Sequence, residues 1–408
     1  MELTLKKIIH SLKTRGIKGS IERYKNGKPE VDIVSFWGFI TDLKEIGFNK
    51  KDYEENKDKQ ITLNWIVPEM GIGSGGHINI FRFISYLERN GIHNRVYLFR
   101  AVSFPDNQTV RKFVKKYFSI LDSNVEVFCD VKYIEFAHGT VATGWDTAYF
   151  VRKFNNTISK FYFVQDFEPY FFAQGSEYAF AENTYKFGFR GITAGDWLKD
   201  VCINNYGMKA DSFSFSYDKT LYTPKKKTNP KKRVFFYARP VTPRRDFELG
   251  ILALNELSKR VDDLEVVFAG WDVSQYKIDF PHVNMGIMDI SELADLYASC
   301  DMCLVISNTN LSLLPLEVMA SGSVAVCSKG ANSEWLVNEE NSILVDFDPI
   351  EIAQTLQEYL ENPEKLEVIR KKGIEFAQNT SWDVEGEKVR QAILKGIQED
   401  EKNINNRW

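Results

Sequence analysis

Histidine and cysteine are scarce in this chain, five of each among 408 residues, and neither is grouped for chemistry. The histidines are scattered, with no HExxH-type spacing. Cys129, Cys202, Cys300, Cys303 and Cys327 are odd in number and lie in apolar stretches, which argues against a disulfide framework. Cys300 and Cys303 form a single CxxC, but no second pair or nearby His completes a zinc site, so buried structural thiols are expected. Neither a protein-ligated metal nor a bound cofactor is indicated. Net charge is only −4, too little basic excess for a general nucleic-acid binder. No apolar run approaches the ~20 residues that cross a bilayer. The start of the chain lacks the apolar core and small-residue cleavage site of a secretory signal. The expectation is a soluble, cytoplasmic protein.

What the chain has is length and aromatic residues. At 408 residues it exceeds what one hydrophobic core usually organises, so two domains are expected. Eight Trp, 18 Tyr and 30 Phe serve either as core or as stacking platforms for sugars and bases; composition alone does not decide. Residues 1–30 carry eight Lys and Arg against Glu2, Glu22 and Glu30. Within them, Leu5, Ile8, Ile9 and Leu12 share a helical face flanked by Lys6, Lys7, Lys13 and Arg15. Such a helix packs on the body through its stripe, or touches the inner face of a membrane peripherally.

After a charged connector at 50–59, apolar strand runs alternate with helical stretches, the pattern of a parallel sheet covered on both faces. Tyr133–Ala137 and Val141–Thr143 read as separate short extended runs. The segment Tyr222–Arg233, rich in Pro, Lys and Thr, is the best linker, and beyond it the alternation restarts. The expected organisation is an N-terminal extension (1–59), a first Rossmann-like domain (60–222), a linker (223–232), a second Rossmann-like domain (233–381) and a C-terminal helix (382–408) returning to the first domain. The fold class is α/β, with a ligand cleft at the C-terminal ends of the strands.

Gly71, Gly73 and Gly76 satisfy G-x-G-x-x-G between a strand and a helix, a dinucleotide signature in outline. The second strand, however, ends at Phe99 and Arg100 with no acid for a ribose hydroxyl. An NADP oxidoreductase is therefore a minor alternative, and the loop is read as a place for a phosphate or for close substrate approach. In the second half, Arg239, Arg244 and Arg245 follow a strand between stiffening prolines, and guanidinium forks match diphosphate oxygens. A polar loop from Ser307 then enters a helix carrying Glu317, placed to accept hydrogen bonds from ribose hydroxyls.

The order Arg239, Arg244, Phe268-Ala269-Gly270, Asp301 and Leu314-Pro-Leu-Glu317-Val-Met-Ala-Ser-Gly322 resembles the donor domain of retaining family 4 glycosyltransferases, which have the GT-B fold. Segments of the first half, Phe161–Phe171, Ala142–Tyr149 and Ala194–Leu198, are similar to bacterial rhamnosyltransferases that use dTDP-rhamnose for cell-surface polysaccharides such as S-layer glycans and rhamnans. The resemblance implies a donor site of Arg239, Arg244, Gly270, Ser307, Asn308, Thr309, Leu313 and Glu317, with phosphates near the backbone amides of Asn310–Leu313. Arg244 stands where the family usually has Lys. Thr309 stands where it has the first glutamate of Glu-x7-Glu, which leaves the sugar contact unassigned and favours a 6-deoxy sugar. On the acceptor side the expected residues are Gly75, Gly76, His77, Trp145 and Asp146. The family implies retention without an obligatory protein base; if there is one, Asp166, Glu168, His138 and Asp146 are the candidates. The implied partners are a dTDP-sugar and an oligosaccharide or lipid-linked glycan acceptor, with a homodimer compatible. A non-catalytic nucleotide- or carbohydrate-binding protein on the same scaffold is the main alternative.

Overall fold

The structure is a computed structural model, and it describes residues 32–404. The basic stripe at residues 3–18 lies outside them. Residues 32–44 belong to a separate small unit. Its helix Ile33–Thr41 is capped by Asp32, whose carboxylate accepts the amide of Ser35 at 2.9 Å. Everything from Glu45 onward belongs to a second unit.

That second unit contains two parallel sheets. The first has seven strands: β1 (Thr62–Pro68), β2 (His93–Phe99), β3 (Glu126–Phe128), β4 (Ala137–Ala142), β5 (Thr157–Val164), β6 (Arg190–Ala194) and β7 (Ala210–Phe213). The second has six: β8 (Lys232–Tyr237), β9 (Leu264–Ala269), β10 (His282–Asn284), β11 (Met302–Val305), β12 (Val324–Ser328) and β13 (Ile343–Val345). Their orders, β3-β2-β1-β4-β5-β6-β7 and β10-β9-β8-β11-β12-β13, follow one doubly wound plan. In each the order reverses beside the opening strand, between β1 and β4 and between β8 and β11, and ligands of such sheets bind at that point.

The strands are rich in apolar residues because helices cover both faces. Leu63, Trp65, Ile66 and Val67 of β1 are all buried. Much of the aromatic surplus is core: Trp65 meets Phe163 edge-on at 5.7 Å, and Phe163 stacks on Phe213 at 5.0 Å. In the second sheet, helix Phe247–Ser258 comes so close that a Cβ on Gly250 would stand 2.1 Å from the Phe236 ring.

Two local expectations change, and a third gains contacts. The end of the first short run and the start of the second lie on one strand, β4, with 133–136 outside it; His138 and Thr140 are polar yet buried, which interrupts the apolar pattern without interrupting the ladder. Gly139 admits the tight packing there, where a Cβ would lie 2.7 Å from the Leu63 side chain. The charged segment at 50–59 holds a helix, Lys50–Asn56: Asn49 caps it by accepting the amides of Lys51 and Asp52, and Tyr53 is buried. The segment joining the sheets has no regular structure from 223 to 231, yet Lys225 donates its amide to Ser321 O and Lys227 pairs with Asp301 at 2.7 Å.

The last described helix, Trp382–Glu401, packs on the first sheet. Gly386 and Gly396 let it approach Tyr86 and Phe161. Arg190 of β6 grips Asp400 through two bonds of 2.9 and 2.6 Å, and Ser159 of β5 donates to the same carboxylate at 2.8 Å. Asp400→Ala is expected to cost about 1–2 kcal/mol in denaturant unfolding, discounted for partial exposure, because Glu399 remains as a second anion for Arg190. An unchanged midpoint would show that the helix is held by packing alone.

Candidate functional site

Most of the residues singled out from sequence lie just beyond strand C-terminal ends, around the cleft between the two sheets. Beyond β8, Ala238 leads into Arg239, and a short 3-10 turn over Pro243–Arg245 presents the other two guanidiniums. Arg239 donates to Gly270 O at 3.2 Å and lies 5.7 Å from the Trp271 ring, both just beyond β9. Gly270 has φ +104° and a Tyr237 ring 2.7 Å from where a Cβ would be, so only glycine fits there. Arg244 stacks at 4.1 Å on Phe171 from the first domain, and its Nε finds no hydrogen-bond acceptor among the described residues. Arg245 is buried, donating to Leu311 O at 3.5 Å. Burial lowers the pKa of both Arg244 and Arg245.

Among the described residues, the only ion pair of these three guanidiniums is Arg244 Nε with Asp166 Oδ2, at 3.7 Å. Three guanidiniums with one ion pair among them leave a cationic excess that an anionic ligand would fill.

Beyond β11, the loop from Ser307 is held from several sides. Asn308 is exposed and donates to both oxygens of Asp246 at 2.7 and 2.8 Å. Asn332 Nδ2 donates to Ser307 O and Thr309 O. Ser312 takes φ +67°, turning the chain into helix Leu314–Ala320 through Leu313.

The same loop is tied across the cleft. Thr309 Oγ1 donates to Asp166 Oδ2 at 2.8 Å, and the amide of Asn310 donates to Asp166 Oδ1 at 3.1 Å. Asn310 Nδ2 donates to Gln165 O at 3.0 Å. The amide of Asn310, one of those expected beside a phosphate, is thus engaged by a side chain of the other domain. Asp166 follows β5 and is buried. Burial raises its pKa, while Arg244 and the two donors of the loop work against that rise.

On the first-domain side, the glycine loop reaches the same place. Gln165 Nε2 donates to Gly76 O at 3.2 Å, whereas nothing lies within 4 Å of a Cβ on Gly75. His77 turns inward, paired with Ser74 Oγ at 2.7 Å and Pro68 O at 3.1 Å, which fixes the loop and removes the imidazole from the cleft. Glu168 is buried beneath: Trp145 N donates to it at 2.7 Å and the Tyr162 hydroxyl at 2.9 Å. Burial pushes its carboxyl up to about 8. Asp146 sits half-buried at the start of helix Trp145–Lys153, accepting the amide of Thr147 at 2.9 Å, with its pKa raised by burial.

His138 is not brought to this place. It lies near the start of β4, its Nδ1 accepting the amide of Thr62 at 3.1 Å, and Thr62 begins the parallel neighbour β1. That is the N-terminal edge of the sheet, away from the cleft. Glu317 is half-buried on helix Leu314–Ala320, with a carboxyl pushed up to about 7 by burial; the Tyr222 hydroxyl donates to it and the Arg82 charge lies nearby. Arg82 escaped the sequence reading. It sits over Trp382 at 4.2 Å, and helical spacing from the glycine loop was its only signal. Gln165 was missed for the same reason, being one polar residue at a strand end.

Residues 232–357 match the protein family described as WsaF, C-terminal domain. A 359-residue stretch, 83% of the chain, is 30% identical to the O-antigen biosynthesis protein RfbC of Myxococcus xanthus, and the chain spans about a quarter of that relative's length (27%). Among solved structures, Anabaena Alr3699/HepE in complex with UDP and glucose aligns over 82% of this chain and 100% of its own, at 15% identity and a TM-score of 0.62. A mutant of S. aureus TarM in complex with fondaparinux, α-GlcNAc-glycerol and UDP aligns over 82% and 99%, at 10% identity and a TM-score of 0.64. At such identities the likeness is one of fold. The fold is GT-B, two Rossmann-like domains about a cleft, as WaaG, a glycosyltransferase of lipopolysaccharide biosynthesis, also displays at a TM-score of 0.56.

Proposed function

We propose that the chain is a glycosyltransferase of surface-polysaccharide assembly, moving a sugar from a nucleoside-diphosphate donor to a glycan acceptor. The observation that carries this reading is the group of three guanidiniums beyond β8, of which Arg244 alone makes an ion pair, with Asp166, among the described residues. The likeness to the O-antigen protein and the UDP held by the HepE and TarM structures support it. Arg239 and Arg244 would grip the diphosphate, Glu317 the ribose, and Gly270 would leave room for the nucleotide's approach.

In the reaction the bond between the anomeric carbon and the phosphate oxygen breaks, its electron pair going to the diphosphate. The acceptor hydroxyl oxygen bonds to that carbon, and its proton passes to the departing phosphate or to a carboxylate. The guanidiniums act where negative charge grows, which is where fixed donors accelerate most. Asp146, half-buried at the acceptor-side strand ends, is better placed as a base than Asp166, whose oxygens already accept three hydrogen bonds.

The finer reading is transfer of L-rhamnose from dTDP-rhamnose with retention and without a metal, at the inner face of the membrane. Motif resemblance supports it, as does Thr309 in place of an acid that would read an extra sugar hydroxyl. No described helix is long and apolar enough to cross a membrane.

Thermal unfolding with dTDP, UDP and GDP tests the donor site. A nucleotide at 100 times its dissociation constant stabilises by about 2.7 kcal/mol, and dTDP is expected to act most strongly. Selective stabilisation by UDP would replace rhamnose as the sugar. No shift with any of the three would overturn the donor site, and release of free sugar from the matching donor would separate an enzyme from a binding protein.

A further inference from the structure

The donor site already contains an anion, and that anion belongs to the protein. Asp166 Oδ1 accepts two amides, Phe167 at 2.9 Å and Asn310 at 3.1 Å. Oδ2 accepts the Thr309 hydroxyl at 2.8 Å and lies 3.7 Å from Arg244 Nε. A backbone amide, a hydroxyl and a guanidinium converging on two oxygens make the kind of donor set that binds a phosphate. Three of the four groups around this carboxylate are fixed locally or by neutral hydrogen bonds. The exception is Arg244, too distant for a hydrogen bond, stacked on Phe171 and with no acceptor for its Nε among the described residues. Its attraction to Asp166 is therefore purely ionic, and the guanidinium is the member of the set most readily turned to another anion.

We propose that Asp166 is an internal counter-ion of the donor site, holding the loop Ser307–Leu311 across the cleft until a nucleoside diphosphate takes over Arg244 and the amide of Asn310. The inference rests on the donor-site reading and adds a competition to it. Two anions cannot share one guanidinium in a buried cleft without repulsion. The diphosphate thus enters against the Asp166 charge, and entry weakens the tie between the domains. Thr309 acts through Asp166 as a positioning residue, fixing the carboxylate in front of Arg244. A glutamate at 309 would bring a second carboxylate against the first, so a threonine at that position suits an acid supplied from the opposite sheet.

Calorimetric titration of UDP and of dTDP into the full chain tests the exchange. Asp166→Asn keeps the shape and removes the charge, and is expected to bind the preferred nucleotide about tenfold more tightly than the wild type, a change of about 1.4 kcal/mol. Thr309→Val, which frees the carboxylate to swing from Arg244, is expected to tighten binding by a smaller factor. Asn310→Ala removes the neutral tie to Gln165 O and leaves the Asp166 charge in place, so it is expected to leave affinity unchanged or lower it. Equal or weaker binding by Asp166→Asn, with wild-type binding intact, overturns the exchange and leaves the donor site standing. Tightening by Asn310→Ala as strongly as by Asp166→Asn also overturns it, since general loosening of the cleft would then be the cause. Failure of the wild type and every variant to bind either nucleotide overturns both readings together.

Discussion

On the proposed donor-site reading, Arg239→Ala and Arg244→Ala are each expected to lower sugar transfer at least about a hundredfold, because removing one donor to a developing oxyanion typically forfeits about 3 kcal/mol of transition-state stabilisation. The geometry separates this loss from misfolding. Arg239 and Arg244 are half-buried, and each rests on an aromatic ring, Trp271 or Phe171, that stays packed when the guanidinium is gone. Unfolding temperatures of both variants should therefore remain close to the wild type. Arg245 behaves differently: it is buried and reaches Leu311 O, so Arg245→Ala is expected to lose stability along with activity. Arg244→Lys restores the charge without the planar stack on Phe171 and should recover part of the rate. Steady-state transfer from a labelled nucleotide sugar, measured beside thermal unfolding, checks all four. Near-normal turnover in both alanine variants would remove the guanidiniums from the reaction.

The grouping of those arginines was legible in the sequence because their type and spacing stand out beside a strand end. Three guanidiniums flanked by prolines are unusual beyond a strand, and only Arg245 of them is buried. The alternation of apolar runs was also legible, since parallel strands covered on both faces carry mostly apolar residues. Where polar residues are buried, the pattern fails: His138 and Thr140 divided β4 into two apparent runs, although both sit inside the sheet. The union of Asp166 with Thr309 and Asn310 had no sequence signal, because it joins positions some 143 residues apart through a cleft that local pattern cannot describe. His138 shows the converse. An Ala-His-Gly run looks chemical, but only the strand's direction shows that this histidine sits at the wrong end of the sheet.

Glu168 supplies the largest expected effect of pH on stability. The carboxyl is buried, receives Trp145 N and the Tyr162 hydroxyl, and is pushed up to about 8 from an ordinary 4.5. Below about pH 4.5 both the folded and unfolded chains hold this proton, and its contribution to stability is fully present. Between there and about 8 only the folded chain keeps it, so stability falls as pH rises, by at most about 1.4 kcal/mol per unit from this group. Above 8 the contribution is lost and the slope ends. Glu317, raised to about 7, and Asp246, raised to about 6, tilt the wild type the same way, so the difference between wild type and Glu168→Gln isolates the one residue. Glu168→Gln should show a shallower decline in denaturant midpoints from about pH 5 to about pH 8.5; parallel slopes would mean that Glu168 is ionised in the folded protein. On the proposed acceptor-side reading of Asp146, the same proton bears on the reaction. A Cβ on Gly144 would lie 3.2 Å from Asp146 Oδ1 and 3.8 Å from Glu168 Oε2, so the two carboxyls flank one backbone position. While Glu168 stays neutral, Asp146 can carry the negative charge there alone, and an ionised Asp146 is the form able to accept a proton from the acceptor hydroxyl.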